Sequence, residues 1–172
     1  MMGRRYVYLC RHAKSCWDSP NGDDFHRPLA GRGERNAQSL NAFLCARKER
    51  VQKVLCSSSQ RTRQTYEIAL KDVAQPEQTE FLDSLYLAST HEVLALINNQ
   101  LNACDSVVIV GHNPSMHDVF EWLTDTAIAN YPTGTWSKLA VTSGWESAGR
   151  GSCQVVEYLE PKMLAGPLSP VE

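Results

Sequence analysis

Residues 105–110 read Asp-Ser-Val-Val-Ile-Val, and the run from Val107 to Val110 is β-branched and apolar without a polar position between. A strand that alternates apolar and polar residues can leave one face in water. This one cannot, so it belongs in a sheet covered on both faces. Such sheets are mostly parallel, because each crossover between parallel strands carries a helix that does the covering. The rest of the chain therefore has to supply parallel neighbours and helices for both faces.

The remaining pattern meets that demand. Arg5 to Cys10 predicts a buried strand, Arg11 to Ala30 a polar loop, and Gly31 to about Arg47 a helix with Ala37, Leu40 and Leu44 on one face. Lys53 to Cys56 predicts a short strand running into Ser57-Ser58-Ser59, followed by a helix that carries Tyr66, Ala69, Leu70 and Val73 and closes at Gln75-Pro76. Gln78 to Phe81 reads as a weaker strand. Ser89-Thr90-His91-Glu92 has capping-box spacing and opens a helix with Val93, Leu94, Ile97 and Leu101. After the central strand, Pro114 suits a helix start, and Met116, Val119, Phe120 and Leu123 repeat at helical spacing. Trp136 to Val141 and Cys153 to Leu159 predict two final strands.

Strands alternating with helices predict an α/β fold of three layers, αβα, with a mainly parallel central sheet and an antiparallel edge from the final pair. At 172 residues the chain has the length of one ordinary domain. Residues 1–160 are expected to form it, with Pro161 to Glu172 a frayed tail.

Several function classes drop out. A formal net charge of -2 shows no basic excess, so nucleic acid is not the expected partner. The first apolar run, Tyr6 to Cys10, is too short for a signal-peptide core or a membrane span, which predicts a cytoplasmic protein with no membrane association. The six cysteines include no CxxC pair and are expected to be reduced packing residues. No HExxH or close His/Asp cluster suggests a metal, and no cofactor is expected. Gly31-Arg32-Gly33 fails as a dinucleotide fingerprint, since Asn36 stands where the third glycine would be.

In open parallel sheets, ligands bind beyond the carboxyl ends of the strands. The first strand here ends in Arg11-His12, the second in the serine run followed by Arg61, and the central one in Gly111-His112. Two histidines and two arginines would converge on one rim. Guanidinium groups grip phosphoryl oxygens in a fork, and neutral imidazole is a competent nucleophile, so the set points to phosphoryl transfer. Gly111 and the helix opening at Pro114 would add an anion-favouring helix start. His26 and His91 lie in a loop and at a helix start, where contact with water accounts for them, and His117 on the following helix is expected either to back the site or to be exposed.

These residues resemble the histidine phosphatase superfamily, and within it the SixA-like phosphohistidine phosphatases, over about Leu9 to Val141. Leu9-Cys10-Arg11-His12-Ala13-Lys14-Ser15 is similar to the signature segment whose histidine takes the phosphoryl group. Asp24-Phe25-His26-Arg27-Pro28-Leu29 followed by Gly33 resembles a stretch of the SixA-like branch, and Cys56 to Thr65 the segment in which Arg61 would be a second phosphate ligand. Val108 to Pro114 resembles the second histidine segment, and Tyr131-Pro132-Thr133-Gly134 a later stretch of the same branch.

The resemblance implies a metal-independent phosphatase with a phosphoglycerate mutase-like fold and a phosphohistidine intermediate on His12. Arg11, Arg61 and His112 would hold the phosphoryl oxygens, with Ser15 and Asn113 also touching substrate. His12 would be oriented by a backbone carbonyl. Relatives acting on oxygen esters carry an acid for the leaving group, and no segment matches it; Asp83, Asp18 and Glu92 are the candidates. A missing acid suits an imidazole leaving group. The expected partner is a phosphorylated protein of histidine phosphotransfer. The alternatives are hydrolysis of a small phosphoester and a non-catalytic module that binds phosphorylated ligands.

Overall fold

The computed structural model describes residues 3–142 and 148–164. The apolar run forms β4 (Ser106–Gly111), with every residue buried, near the middle of a six-stranded sheet. Its neighbours are β1 (Tyr6–Arg11) on one side and β2 (Lys53–Ser57) on the other, both parallel to it. Beyond β2 lies β3 (Thr79–Leu82), also parallel; beyond β1 lie β5 (Trp136–Val141) and then β6 (Cys153–Leu159), each antiparallel to its inner neighbour. The order is β3-β2-β4-β1-β5-β6, so the antiparallel edge expected from the final pair is present and two strands wide.

Alternation along the strands sorts the core into two layers. Tyr8, Cys10, Val54, Cys56, Val108 and Val110 face Leu40 and Leu44 of α1 (Gly31–Ala46), together with Ala69 and Leu70. Val7, Leu9, Leu55, Val107 and Ile109 face Ile97 and Leu101 of α3 (Thr90–Leu101), and Val119, Phe120 and Leu123 of α4 (Ser115–Thr124). Each residue from Val107 to Val110 thus buries against one helical layer or the other, which is why that run has no polar position. Ser89 and Glu92 cap α3 in the reciprocal manner their spacing predicts.

Three details depart from the sequence pattern. The helix after β2 runs as α2 (Gln60–Thr65) and then loosens into a π-type turn over Tyr66–Leu70, leaving Val73 buried beyond it. The Thr65 hydroxyl donates back to the Arg61 carbonyl at 2.7 Å, a side-chain bond that competes with regular helical pairing. At α4, Pro114 is the N-cap rather than the first helical residue, after a cis Asn113–Pro114 bond. The segment read as a frayed tail begins with a short helix, α5 (Pro161–Leu164), whose Leu164 packs on the α1 layer. Proline opens a helix readily because it has no amide to leave unpaired. Residues 165–172 of that segment lie outside the described residues.

Candidate active site

The carboxyl ends of β1, β2 and β4 meet at one cavity of about 320 Å³, lined among others by Arg11, His12, Ser15, Arg61, His112 and Asn113. The backbone that presents His12 is fixed from several directions. Its amide donates to the Gly111 carbonyl at 3.1 Å, and its carbonyl accepts from Gly134 at 2.9 Å. Gly134 has φ +77°, a region open chiefly to glycine. The next amide, Ala13, donates to the Thr65 hydroxyl at 3.0 Å. Gly33 of α1 sits so close that a Cβ there would lie 2.0 Å from the Lys14 carbonyl oxygen. The glycine following Arg-Pro-Leu is therefore what lets α1 press against the loop that carries the histidine.

Both histidine tautomers follow from their partners. His12 Nδ1 lies 2.8 Å from the Ala13 carbonyl oxygen. A carbonyl only accepts, so Nδ1 carries the proton and Nε2 keeps a free lone pair. His112 Nδ1 lies 3.4 Å from Arg61 Nη2, which only donates, and its Nε2 lies 2.9 Å from Ser57 Oγ. His112 therefore accepts at Nδ1 and donates through Nε2 to the buried serine. The two rings stand with centroids 5.2 Å apart.

Burial lowers the pKa of His12 to about 3, assisted by the positive charge of Arg61 and Arg11 and opposed by its bond to the Ala13 carbonyl. Burial lowers that of His112 to about 4, again with help from Arg61. Both are neutral at pH 7. Arg61 is 4% exposed, and its Nε–H and that of Arg11 are buried without a partner. Two buried guanidinium donors without acceptors leave room in the hydrogen-bonding pattern for an anion.

The remaining sequence candidates divide. Ser15 and Asn113 line the cavity: Ser15 Oγ accepts from Arg27 Nη2 at 2.9 Å, and Asn113 Nδ2 donates to the Tyr131 carbonyl at 3.0 Å. The three acid candidates do not line it. Asp83 accepts from the Ser58 hydroxyl, Asp18 is exposed in the loop, and Glu92 is spent on capping α3. At the start of α4 the Met116 N–H is taken by the His112 carbonyl at 3.0 Å and the Asp118 N–H by the Pro114 carbonyl at 3.0 Å. His26, His91 and His117 lie outside the cavity, His26 and His117 paired with Asp23 and Glu121.

Sequence reasoning gave no site role to Asp24, Arg27, Tyr86 or Ser57. Asp24 is the carboxylate among the lining residues; it accepts from Arg61 Nη2 at 3.0 Å, from Arg27 Nη1 at 3.0 Å and from the Tyr86 hydroxyl at 2.6 Å, while its backbone carbonyl takes Arg61 Nη1 at 2.7 Å. The Tyr86 hydroxyl, then Arg27 and Arg61, hold Asp24 well below the usual carboxylate range against the opposing effect of burial. It is ionised at neutral pH and positions Arg61 rather than storing a proton. A larger hollow of about 420 Å³ beside Thr133, walled by Arg32, Asn36, Pro161 and Lys162, holds neither a histidine nor converging arginines. Among the described residues, no group of three or more His, Cys, Asp or Glu side chains is placed to hold a metal ion.

A neutral imidazole facing two arginines and a second histidine is an arrangement suited to holding a phosphoryl group. The family model described as histidine phosphatase superfamily (branch 1) matches residues 7–85. An uncharacterized protein of Mycobacterium tuberculosis strain H37Rv is 32% identical over 163 residues, spanning 88% of this chain and 99% of that one. The crystal structure of a candidate phosphohistidine phosphatase SixA from Agrobacterium tumefaciens superposes with a TM-score of 0.76 at 27% identity, covering 91% of this chain and 99% of the other. The protein histidine phosphatase SixA complexed with tungstate gives 0.78 at 21% identity, covering 92% and 99%. The chain belongs to the histidine phosphatase superfamily and is a phosphatase of its SixA-like branch.

Proposed function

We propose that this phosphatase removes the phosphoryl group from phosphohistidine carried on a cytoplasmic protein, with His12 as the nucleophile. The observation that carries the reading is the bond from His12 Nδ1 to the Ala13 carbonyl, which leaves Nε2 unprotonated in a cavity with two unpartnered guanidinium donors. His12 Nε2 attacks phosphorus in line, the bond from phosphorus to the substrate nitrogen breaks, and the phosphoryl group passes to His12. Water then attacks phospho-His12 and releases inorganic phosphate.

Arg11, Arg61 and His112 hold the three equatorial oxygens, with Asn113 and Ser15 at the edge of the cradle. A bound dianion offsets the burial and positive charge that keep His112 neutral, so its Nδ1 takes up a proton and donates to an oxygen while its Nε2–H still donates to Ser57. Preplaced donors of this kind contribute on the order of 3 kcal/mol each to transition-state stabilisation. A phosphorylated imidazole protonated on its far nitrogen leaves as neutral imidazole, and needs no acid from the enzyme. This fits a cavity whose carboxylate, Asp24, is held ionised. An alkoxide leaving group would find no protonated carboxyl group among the described lining residues. The tetrahedral oxyanion in the tungstate complex of the structural relative is a further support.

The test is incubation without metal with a protein phosphorylated on histidine and, separately, with small phosphoesters, trapping acid-labile phosphoenzyme in wild type and His12→Ala. Turnover of phosphohistidine with trapping only in wild type is expected. Turnover of esters alone would replace the substrate assignment, and neither turnover nor trapping would leave a module that binds phosphorylated ligands.

A further inference from the structure

A cavity of about 320 Å³ stands at the small end of ligand pockets, which run from about 300 to 1,000 Å³. Its polar interior encloses a phosphoryl group and the atoms attached to it. Whatever carries that group lies across the mouth. Two large apolar side chains stand there, Trp17 at 76% and Leu87 at 68% exposure, and they are the most exposed large hydrophobic residues among those described.

Neither is placed by core packing. Leu87 has φ +55°, a left-handed conformation that a bulky side chain adopts only under constraint, and such strain gathers at functional sites. Trp17 is covered by the Arg27 guanidinium, 3.6 Å from the ring centroid, while most of the indole remains open. Arg27 is itself pinned by the Cys16 carbonyl, Asp24 and Ser15.

The loops bearing the two residues are tied together just beneath the rim. Tyr86, which precedes Leu87, donates to Asp24 at 2.6 Å and meets the Phe25 ring edge-on at 5.0 Å. The rim is thus set before any substrate arrives, which reduces the ordering cost of binding. Beside it, Lys14 lines the same mouth, exposed and without an ion pair among the described residues.

We propose that Trp17 and Leu87 form an apolar clamp that seats the protein surface around the phosphorylated side chain, with Lys14 facing an acidic neighbour on that surface. The assignment rests on the phosphohistidine reading above. A folded protein with an apolar, acidic patch matches both the exposed side chains and the unpaired cation.

The test compares two phosphoryl donors: a phosphotransfer domain phosphorylated on its histidine, and phosphoramidate, which has no carrier. For Trp17→Ala and for Leu87→Asn, the ratio of kcat/KM on the domain to kcat/KM on phosphoramidate falls about tenfold each, the loss typical of truncating a central contact. Asparagine tolerates the left-handed conformation, so Leu87→Asn removes apolar character without backbone conflict. Trp17→Phe restores most of the ratio. An unchanged ratio, or parallel losses on both donors, would overturn the clamp and leave the His12 chemistry standing. If wild type turns over phosphoramidate but not the phosphorylated domain, the substrate reading itself fails and the clamp with it.

Discussion

Lowering the pH from about 7.5 to about 4.5 in a phosphate-free buffer tests whether the two histidines are neutral by burial rather than by chance of solvent access. Their ordinary value is 6.5, and burial brings His12 to about 3 and His112 to about 4. Between these limits the unfolded chain takes up protons that the folded chain refuses. Stability from this source is complete above pH 6.5 and drains as the pH falls toward the folded values. At about pH 4.5 each histidine has cost about 2 to 3 kcal/mol, a combined loss of about 5 kcal/mol. For a chain of this length that lowers the unfolding midpoint by about 10 to 20 °C. Carboxylates shared by all variants titrate in the same range, so the informative quantity is the difference between wild type and His12→Gln/His112→Gln, followed by thermal unfolding across the pH series. Wild type should lose stability more steeply by that amount. Parallel curves, or imidazole resonances titrating near 6.5 by NMR, would refute the reasoning.

Other outcomes follow from single contacts. Gly33→Ala forces a Cβ to within 2.0 Å of the Lys14 carbonyl. Overpacking against backbone costs about 1 to 3 kcal/mol, and kcat should fall with the unfolding midpoint as the Lys14–Ser15 segment shifts. Asp24→Asn removes the charge that Arg61, Arg27 and Tyr86 share; KM for phosphohistidine should rise and kcat fall severalfold, with the fold unchanged by circular dichroism. Arg61→Lys keeps a charge but loses the fork, and affinity for inorganic phosphate measured by calorimetry should drop about tenfold or more, since the planar group is what spans Asp24 and an oxyanion at once.

The central sheet and its helices were legible because each rests on a local signal. The Val107–Val110 run requires burial on both faces, and the repeat of Leu40 and Leu44, or of Val119, Phe120 and Leu123, requires helices. The strand-end rule then brought Arg11, His12, Arg61 and His112 to one place. The Asp24–Tyr86 bond was not legible, because it joins residues 62 positions apart, neither on a periodic segment. A signal was available at Asp24 and Arg27, charged residues three apart in a loop closed by Pro28, but it required asking what their charges would hold. The acid candidates failed for the converse reason. Glu92 is held by Ser89 at the start of its own helix, and Asp83 by the hydroxyl of Ser58 just past the end of β2, so neither reaches the cavity.

The same geometry explains why the proposed nucleophile, His12, has so low a pKa. Burial in the sheet's crevice excludes the protonated form, and the Ala13 carbonyl fixes which nitrogen is free. Two arginines add positive charge that a phosphoryl group needs and that would repel a proton from His12. Asp24 resolves the conflict that two guanidinium groups and two imidazoles would otherwise create, because it anchors Arg61 through two oxygens while leaving the Arg61 Nε–H unpartnered. A carboxylate so placed cannot also serve as a proton donor to an oxygen leaving group. Anchoring Arg61, the proposed phosphate ligand, and supplying a proton to an ester oxygen are therefore alternatives at this position, and the bonds to Arg61, Arg27 and Tyr86 hold Asp24 in the first arrangement.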